Sequence, residues 1–243
     1  MKAARRSARG NAIRLSAIVA CLTAGTASAD GLIIDKIYDP YVQPLEKELE
    51  FRTLFQADDD IQDVQRHSLG FGSALGQRWF GEIYAVALKS EGESLHVDTF
   101  ELEFKRQLTE QGEYPVDWGL LFELEREADV DSWELTTSLL AARDFGRWTA
   151  LANLDFIYEW GEHVPNEFET AAHLQVRHRT SEAAEPGVEL HVGQDTFAVG
   201  PVVNGLARFG GSRKIRWSAG YFAGLGSTTP DHTARLYFEY EFL

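Results

Sequence analysis

The stretch DWGLLFELE (residues 117–125) alternates with a period of two. Trp118, Leu120, Phe122 and Leu124 fall on one face. Asp117, Gly119, Leu121, Glu123 and Glu125 fall on the other. Successive strand side chains point to opposite faces, so the stretch reads as a β-strand with one apolar and one mostly polar face. Two further segments repeat the pattern. Phe168, Thr170, Ala172, Leu174 and Val176 alternate with Glu167, Glu169, His173, Gln175 and Arg177. Leu236, Phe238, Tyr240 and Phe242 alternate with Arg235, Tyr237, Glu239 and Glu241.

Extended along the chain, the same period predicts twelve strands. They fall near 46–56, 64–75, 78–89, 95–108, 116–127, 132–143, 147–160, 167–180, 187–194, 202–210, 213–224 and 233–242. Ten strands with longer connections also fit the length. All seven prolines are expected outside the strands, because proline cannot donate to a sheet ladder. Connections near 76–77, 145–146 and 211–212 read as tight turns, and those near 57–63, 161–166 and 226–232 as longer loops. Short turns on one side and longer loops on the other is the habit of outer-membrane barrels, from which the connections near 109–115 and 181–186 depart by their length.

Charge is distributed unevenly. The chain has 243 residues, 23 Lys and Arg against 38 Asp and Glu, and a formal charge of −15. Residues 1–29 carry five of the bases and none of the acids, an apolar stretch from Leu15 to Ala27, and Ala27-Ser28-Ala29. That is the pattern of a secretory signal peptide cleaved near Ala29. Its removal leaves a net charge of −20. A lipobox-like reading at Ile18-Val19-Ala20-Cys21 is the rival, but it leaves too short an apolar stretch. The acidic balance argues against nucleic acid as a partner, and a single cysteine excludes an internal disulfide. The predicted organisation is a signal peptide at 1–29, a periplasmic lead-in segment at 30–44 without clear period, and a barrel at 45–243.

Alternation alone does not say which face meets solvent. A secreted β-sandwich or lipocalin-like barrel would turn its apolar rows inward. Three features favour an all-β, antiparallel, up-and-down transmembrane β-barrel. The strands are long for a soluble sheet. Their polar rows carry charges of both signs. Trp79, Trp118, Trp133, Trp148, Trp160 and Trp217 gather near strand ends, where aromatic girdles meet the membrane interface. A structure with Trp118, Phe122, Phe238 and Phe242 facing inward would overturn this reading.

The last strand, with Ala234, Leu236, Phe238, Tyr240 and Phe242 on one row, resembles the terminal assembly signal of bacterial outer-membrane proteins, displaced by one residue because Leu243 follows. The stretches QLTEQGEYPVDWGLLFELE (107–125), EFETAAHLQVRHR (167–179) and GQDTFAVGPV (193–202) resemble an uncharacterised family of small proteobacterial outer-membrane barrels, porin-like in character. The resemblance implies a Gram-negative outer-membrane location. It also implies contact with outer-membrane lipid and lipopolysaccharide, and engagement of the assembly machinery through the C-terminal strand. It transfers no catalytic or binding residue.

If the apolar rows face lipid, the charged rows line a lumen. The lumen-lining candidates are Glu101, Glu103, Glu123, Glu125, Glu167, Glu169, His173, Arg177, Glu189, His191, Arg216, Arg235, Glu239 and Glu241, with Glu48, Glu50, Arg52, Asp155 and Glu159 on the same rows. Charges enclosed in a narrow barrel need partners, so Arg177, Arg179, Arg216 and Arg235 are expected to cross-link the acids. Acids outnumber bases, so a water-filled lumen would favour cations, and the expected passenger is a small solute or a cation.

The reading is therefore a structural barrel or a small cation-preferring porin-like channel with a charged, plugged or open lumen. The alternative is an outer-membrane barrel enzyme acting on lipid or surface peptide. His67 and Ser68 are adjacent on one strand and point to opposite faces, and His96 and Asp98 lack a neighbouring serine, so no catalytic set is assigned. His173 and His191 could meet a divalent ion with Glu169 and Glu189. No compact ligand spacing supports that, and no metal or cofactor is assigned.

Overall fold

The computed structural model describes residues 34–58, 63–162 and 164–243. The signal peptide and its cleavage site lie outside the described residues. Twelve strands follow in order: β1 (Lys47–Ala57), β2 (Val64–Ala74), β3 (Trp79–Ser90), β4 (His96–Gln107), β5 (Asp117–Glu127) and β6 (Ser132–Phe145), then β7 (Trp148–Gly161), β8 (Glu167–His178), β9 (Glu185–Val192), β10 (Phe197–Arg208), β11 (Lys214–Gly224) and β12 (His232–Phe242). Each pairs antiparallel with its neighbours in sequence, and β1 pairs with β12 to close the barrel. Closure leaves no free sheet edge.

The rows face as the charge pattern requires. On β5, Trp118 is 37% exposed on the outer wall, while Asp117 and Leu121 are buried inside. On β12, Leu236 and Phe238 lie outside, while Thr233, Arg235 and Glu241 are buried. All six tryptophans sit on the outward row at strand ends. Trp79, Trp118, Trp148 and Trp217 ring the end where β1 begins and β12 ends, the terminal end of the barrel; Trp133 and Trp160 stack 6.5 Å apart at the other. The apolar interior is small: Ile34, Ala198 and Phe222 form one buried cluster. The wall is thus apolar outside and polar inside, the reverse of a water-soluble barrel.

Two expectations need correction. Pro186 and Pro201 lie inside strands, because β9 and β10 begin earlier than their weak alternation suggests. Each proline occupies a gap in one ladder. Pairing between β8 and β9 starts at Gly187, one residue after Pro186. Pairing between β10 and β11 skips from Val199 to Val202, across Pro201. A residue without an N–H costs little where no acceptor faces it. The connections also do not sort by length. Those at the terminal end run from 146–147 to 108–116, and those at the opposite end from 128–131 to 225–231. Charge distinguishes the ends instead. The opposite-end connections carry eleven acids, among them Asp58, Glu91, Asp129, Asp195 and Asp231, and no Lys or Arg. The terminal-end connections carry Arg78, Arg147, Arg179 and Arg213.

Residues 34–44 precede β1; 34–42 run inside the barrel, and Gln43 and Pro44 are exposed where the segment turns into β1. The course of the segment depends on close approaches to the wall. A Cβ on Gly119 of β5 would lie 2.8 Å from Pro40 Cβ and 3.0 Å from its Cα, so the segment passes where only glycine leaves room. Gly70 of β2 is covered by the Tyr84 ring of β3 in the same way; a Cβ there would sit 2.3 Å from the ring.

Candidate functional site: the charged lumen

Antiparallel register determines which lumen side chains meet. Glu101 of β4 faces Glu125 of β5, which faces Glu134 of β6, then Glu159 of β7, then Glu167 of β8. Five glutamates therefore form one continuous row across five neighbouring strands. A second row joins Glu82, Glu103 and Glu123. Across the closing seam, Glu48 faces Glu241 and Glu50 faces Glu239. Like charges directly opposite one another destabilise a sheet. These rows persist only with cations or protons among them.

The protein supplies some of the cations. Arg66 pairs with Glu101 and lies 3.7 Å from Glu125. Arg216 pairs with Glu241 and lies 3.3 Å from Glu239. Lys214 pairs with Glu241 and, at 3.1 Å, with Glu46. Arg177 meets Glu185 at 3.0 Å. Arg235 clasps Glu189 with one nitrogen at 2.9 and 2.8 Å from the two carboxylate oxygens. All fourteen lumen-lining candidates lie on the inward rows. Arg179, expected among the cross-linking bases, does not: β8 ends at His178, and Arg179 pairs with Asp144 on the exposed rim.

The lead-in segment supplies more. Asp35 receives Arg52 at 2.7 Å, and its carbonyl accepts from Arg235. Lys36 donates to Glu50 at 2.5 Å and to the Tyr84 hydroxyl at 3.0 Å. The Tyr38 backbone is held twice by Asn153: its N–H donates to Oδ1 at 2.8 Å, and its carbonyl accepts from Nδ2 at 2.9 Å. Tyr38 and Tyr41 donate their hydroxyls to Glu103 and Asp117 at 2.6 and 2.8 Å. The Val42 N–H donates to Gln107 at 2.9 Å. These contacts reach β1, β3, β4, β5, β7 and β12, most of the way round the barrel. Burial pushes the Asp35 carboxyl up, but the Arg52 guanidinium and its cationic neighbours outweigh it and hold the group below the usual aspartate range.

None of this was legible in residues 30–44. Their charges do not alternate, and nothing local in DKIYDPY says that its partners are six strands. Asn153, Tyr84, Tyr237 and Glu134 were missed as site residues as well. All four stand on inward positions of predicted strands, so the two-residue period was the signal that could have found them.

His173 and His191 meet directly. Their Nδ1 atoms are 2.9 Å apart, His173 Nε2 lies 2.8 Å from Asp155, and His191 Nε2 lies 3.2 Å from Glu189. Glu169, expected beside this pair, instead faces Ile157. Carboxylate oxygens come within 4.8 Å of one another in two other groups, Glu48 with Glu50 and Glu239, and Glu123 with Glu125 and Glu134. Among the described residues, no serine hydroxyl is hydrogen-bonded to a histidine ring. His67 bonds Thr53 at 2.8 Å on the outer wall, between Phe51 and Phe55.

A cavity of about 560 Å³ occupies the lumen toward the acidic end. Ile34, Asp35, Lys36 and Tyr38 contribute to its lining, together with Glu123, Glu125, Glu134, Asp155, Glu159, Glu167, Glu169 and Asp195 from the wall. Arg66, Lys36 and His173 are the basic groups around it.

Comparison with known proteins gives the fold. No family model and no curated protein matches the chain. Among solved structures, an outer-membrane channel from Pseudomonas putida F1 aligns with a TM-score of 0.57 at 12% identity, covering 86% of this chain and 98% of that one. The KdgM porin, solved in complex with disordered oligogalacturonate, aligns at 0.51 and 10%, covering 81% and 98%. The β-domain of the Bordetella autotransporter BrkA aligns at 0.52 and 15%, covering 82% and 99%. The chain thus shares its closed antiparallel barrel with outer-membrane channels and autotransporter barrels.

Proposed function

We propose that this protein is a narrow porin-like barrel of the outer membrane, with a cation-preferring lumen obstructed by its own residues 34–44. The observation that carries the reading is the inverted wall: apolar and aromatic residues outside, charges of both signs inside. Water-soluble barrels have no use for such a wall, whereas a lipid-embedded barrel requires it. The likeness to an outer-membrane channel and a porin supports the same class.

With an even strand number β1 begins and β12 ends at one end of the barrel; with that end toward the periplasm, the acidic connections lie outside the cell. An acidic mouth and a cavity lined mainly by carboxylates raise the local concentration of cations and repel anions. The oligogalacturonate of the KdgM complex is a polyanion, and this lumen has the wrong sign for one. Lipopolysaccharide would surround the outer girdle at Trp133 and Trp160, and β12 would be the strand offered to the assembly machinery. Planar-bilayer recording of the purified protein under a potassium chloride gradient tests the reading. Small or rare openings with a zero-current potential of cation sign are expected, growing when residues 34–44 are deleted. Anion preference, or a deletion variant as silent as wild type, would refute it.

A further inference from the structure

The Lys36 ammonium occupies a more elaborate site than one ion pair requires. Glu50 lies at 2.5 Å and Glu82 at 3.9 Å, and the Tyr84 hydroxyl is at 3.0 Å. Three aromatic rings surround the same nitrogen, with centroids at 4.5 Å for Tyr38, 5.5 Å for Tyr84 and 5.7 Å for Tyr237. Carboxylates with several ring faces around one nitrogen are the chemistry that recognises ammonium ions. The barrel wall supplies Glu50, Glu82, Tyr84 and Tyr237 from β1, β3 and β12; only Tyr38 and Lys36 come from the segment. The Tyr84 ring is set by the bare Gly70 beneath it.

We infer that Glu50, Glu82, Tyr84 and Tyr237 form a binding site for a primary alkylammonium group, occupied in this structure by Lys36 acting as a tethered ligand. A free alkylamine or a polyamine would compete for it. Such a ligand has a route, because Lys36 and Tyr38 border the acidic cavity and the glutamate row leads toward them. The segment is also held elsewhere, by Arg52 on Asp35 and Asn153 on Tyr38, so truncating Lys36 empties the cage without removing its Tyr38 ring. The inference concerns an occupied site in the wall and does not depend on ion conduction.

The test is chemical rescue. Lys36→Ala, folded in detergent as judged by its heat-dependent gel mobility, is titrated with propylammonium by calorimetry beside wild type and Lys36→Met. One propylammonium per barrel is expected for Lys36→Ala, at least about tenfold tighter than for the other two proteins. In Lys36→Met the thioether side chain fills the cage and leaves no room. No binding to folded Lys36→Ala, or equal binding to Lys36→Met, would overturn the assignment. If Lys36→Ala does not fold, wild type decides. Spermidine is then expected to speed amide exchange in residues 34–41 beyond sodium chloride of equal ionic strength, and equal effects would overturn it.

Discussion

Replacing Asn153 by alanine should loosen residues 34–44 without disturbing the barrel. Asn153 is 4% exposed, and its amide makes both hydrogen bonds to the Tyr38 backbone, at 2.8 and 2.9 Å. The substitution removes both at once and leaves a peptide N–H and C=O without their partner. Each such loss costs about 1–3 kcal/mol when the group stays buried. Tyr38 is only half-buried, so water recovers part of that cost and the lower figure applies. The pair together is then worth about 2 kcal/mol, or about a 30-fold rise in the open population of the segment. Hydrogen exchange followed by mass spectrometry reads this directly, since amides that exchange through local opening speed up in proportion. Peptides covering 34–44 should exchange about 30-fold faster in Asn153→Ala, while strand peptides from β3 and β6 stay unchanged. Unchanged exchange in 34–44 would show that the amide does not hold the segment. Equal acceleration in the strands would show that Asn153 supports the wall instead.

Three further outcomes follow from the same contacts. Gly119→Val should expel the segment, because Pro40 Cβ lies 2.8 Å from the position of the new Cβ; limited proteolysis should then cut within 34–44, and full protection would contradict the close approach. The Asp35 carboxyl titrates below its ordinary value of 3.8 in the folded protein, so its pairing with Arg52 contributes fully above that value and is lost as pH falls through the lowered one. Segment protection, corrected for intrinsic exchange, should therefore hold from neutrality to about pH 4 and decline below it, whereas a decline already well above pH 4 would contradict it. Arg235→Ala leaves the buried Glu189 carboxylate with only Gln175 and His191 beside it, so urea unfolding in vesicles should show a loss of about 3 kcal/mol, the low end for a broken buried pair. A loss under about 1 kcal/mol would mean that the pair is effectively solvated.

The wall was legible because a strand in lipid must declare itself twice. Trp118, Phe122 and Leu124 mark one row, and Glu123 and Glu125 mark the other, so both face and period appear in nine residues. Strands β9 and β10 were less legible: Gly187, Gly200 and Gly205 contribute no side chain to either row, and the prolines disguised the boundaries. Lumen membership followed from the same period, which is why Glu101, Glu189 and Arg235 were placed on the inward face. Partner choice did not follow. Whether Arg235 meets Glu189, or Arg66 meets Glu101, depends on long side chains reaching across several strands, and a two-residue period carries no such information. The course of residues 34–44 was hidden for a related reason. An extended segment bonded to side chains of the surrounding wall satisfies its backbone through Asn153 and Gln107, which are distant in sequence.

The central claim is that the apolar, aromatic rows face lipid and the charged rows enclose the lumen. All six tryptophans stand on the outward rows at the two barrel ends, so intrinsic fluorescence reports on the wall without any labelling. The deciding measurement is quenching of that fluorescence in vesicles by lipids brominated at successive depths. The account predicts strong quenching that peaks when the bromines lie near the interface, with little access for aqueous iodide. Efficient iodide quenching with no effect of the brominated lipids would contradict it.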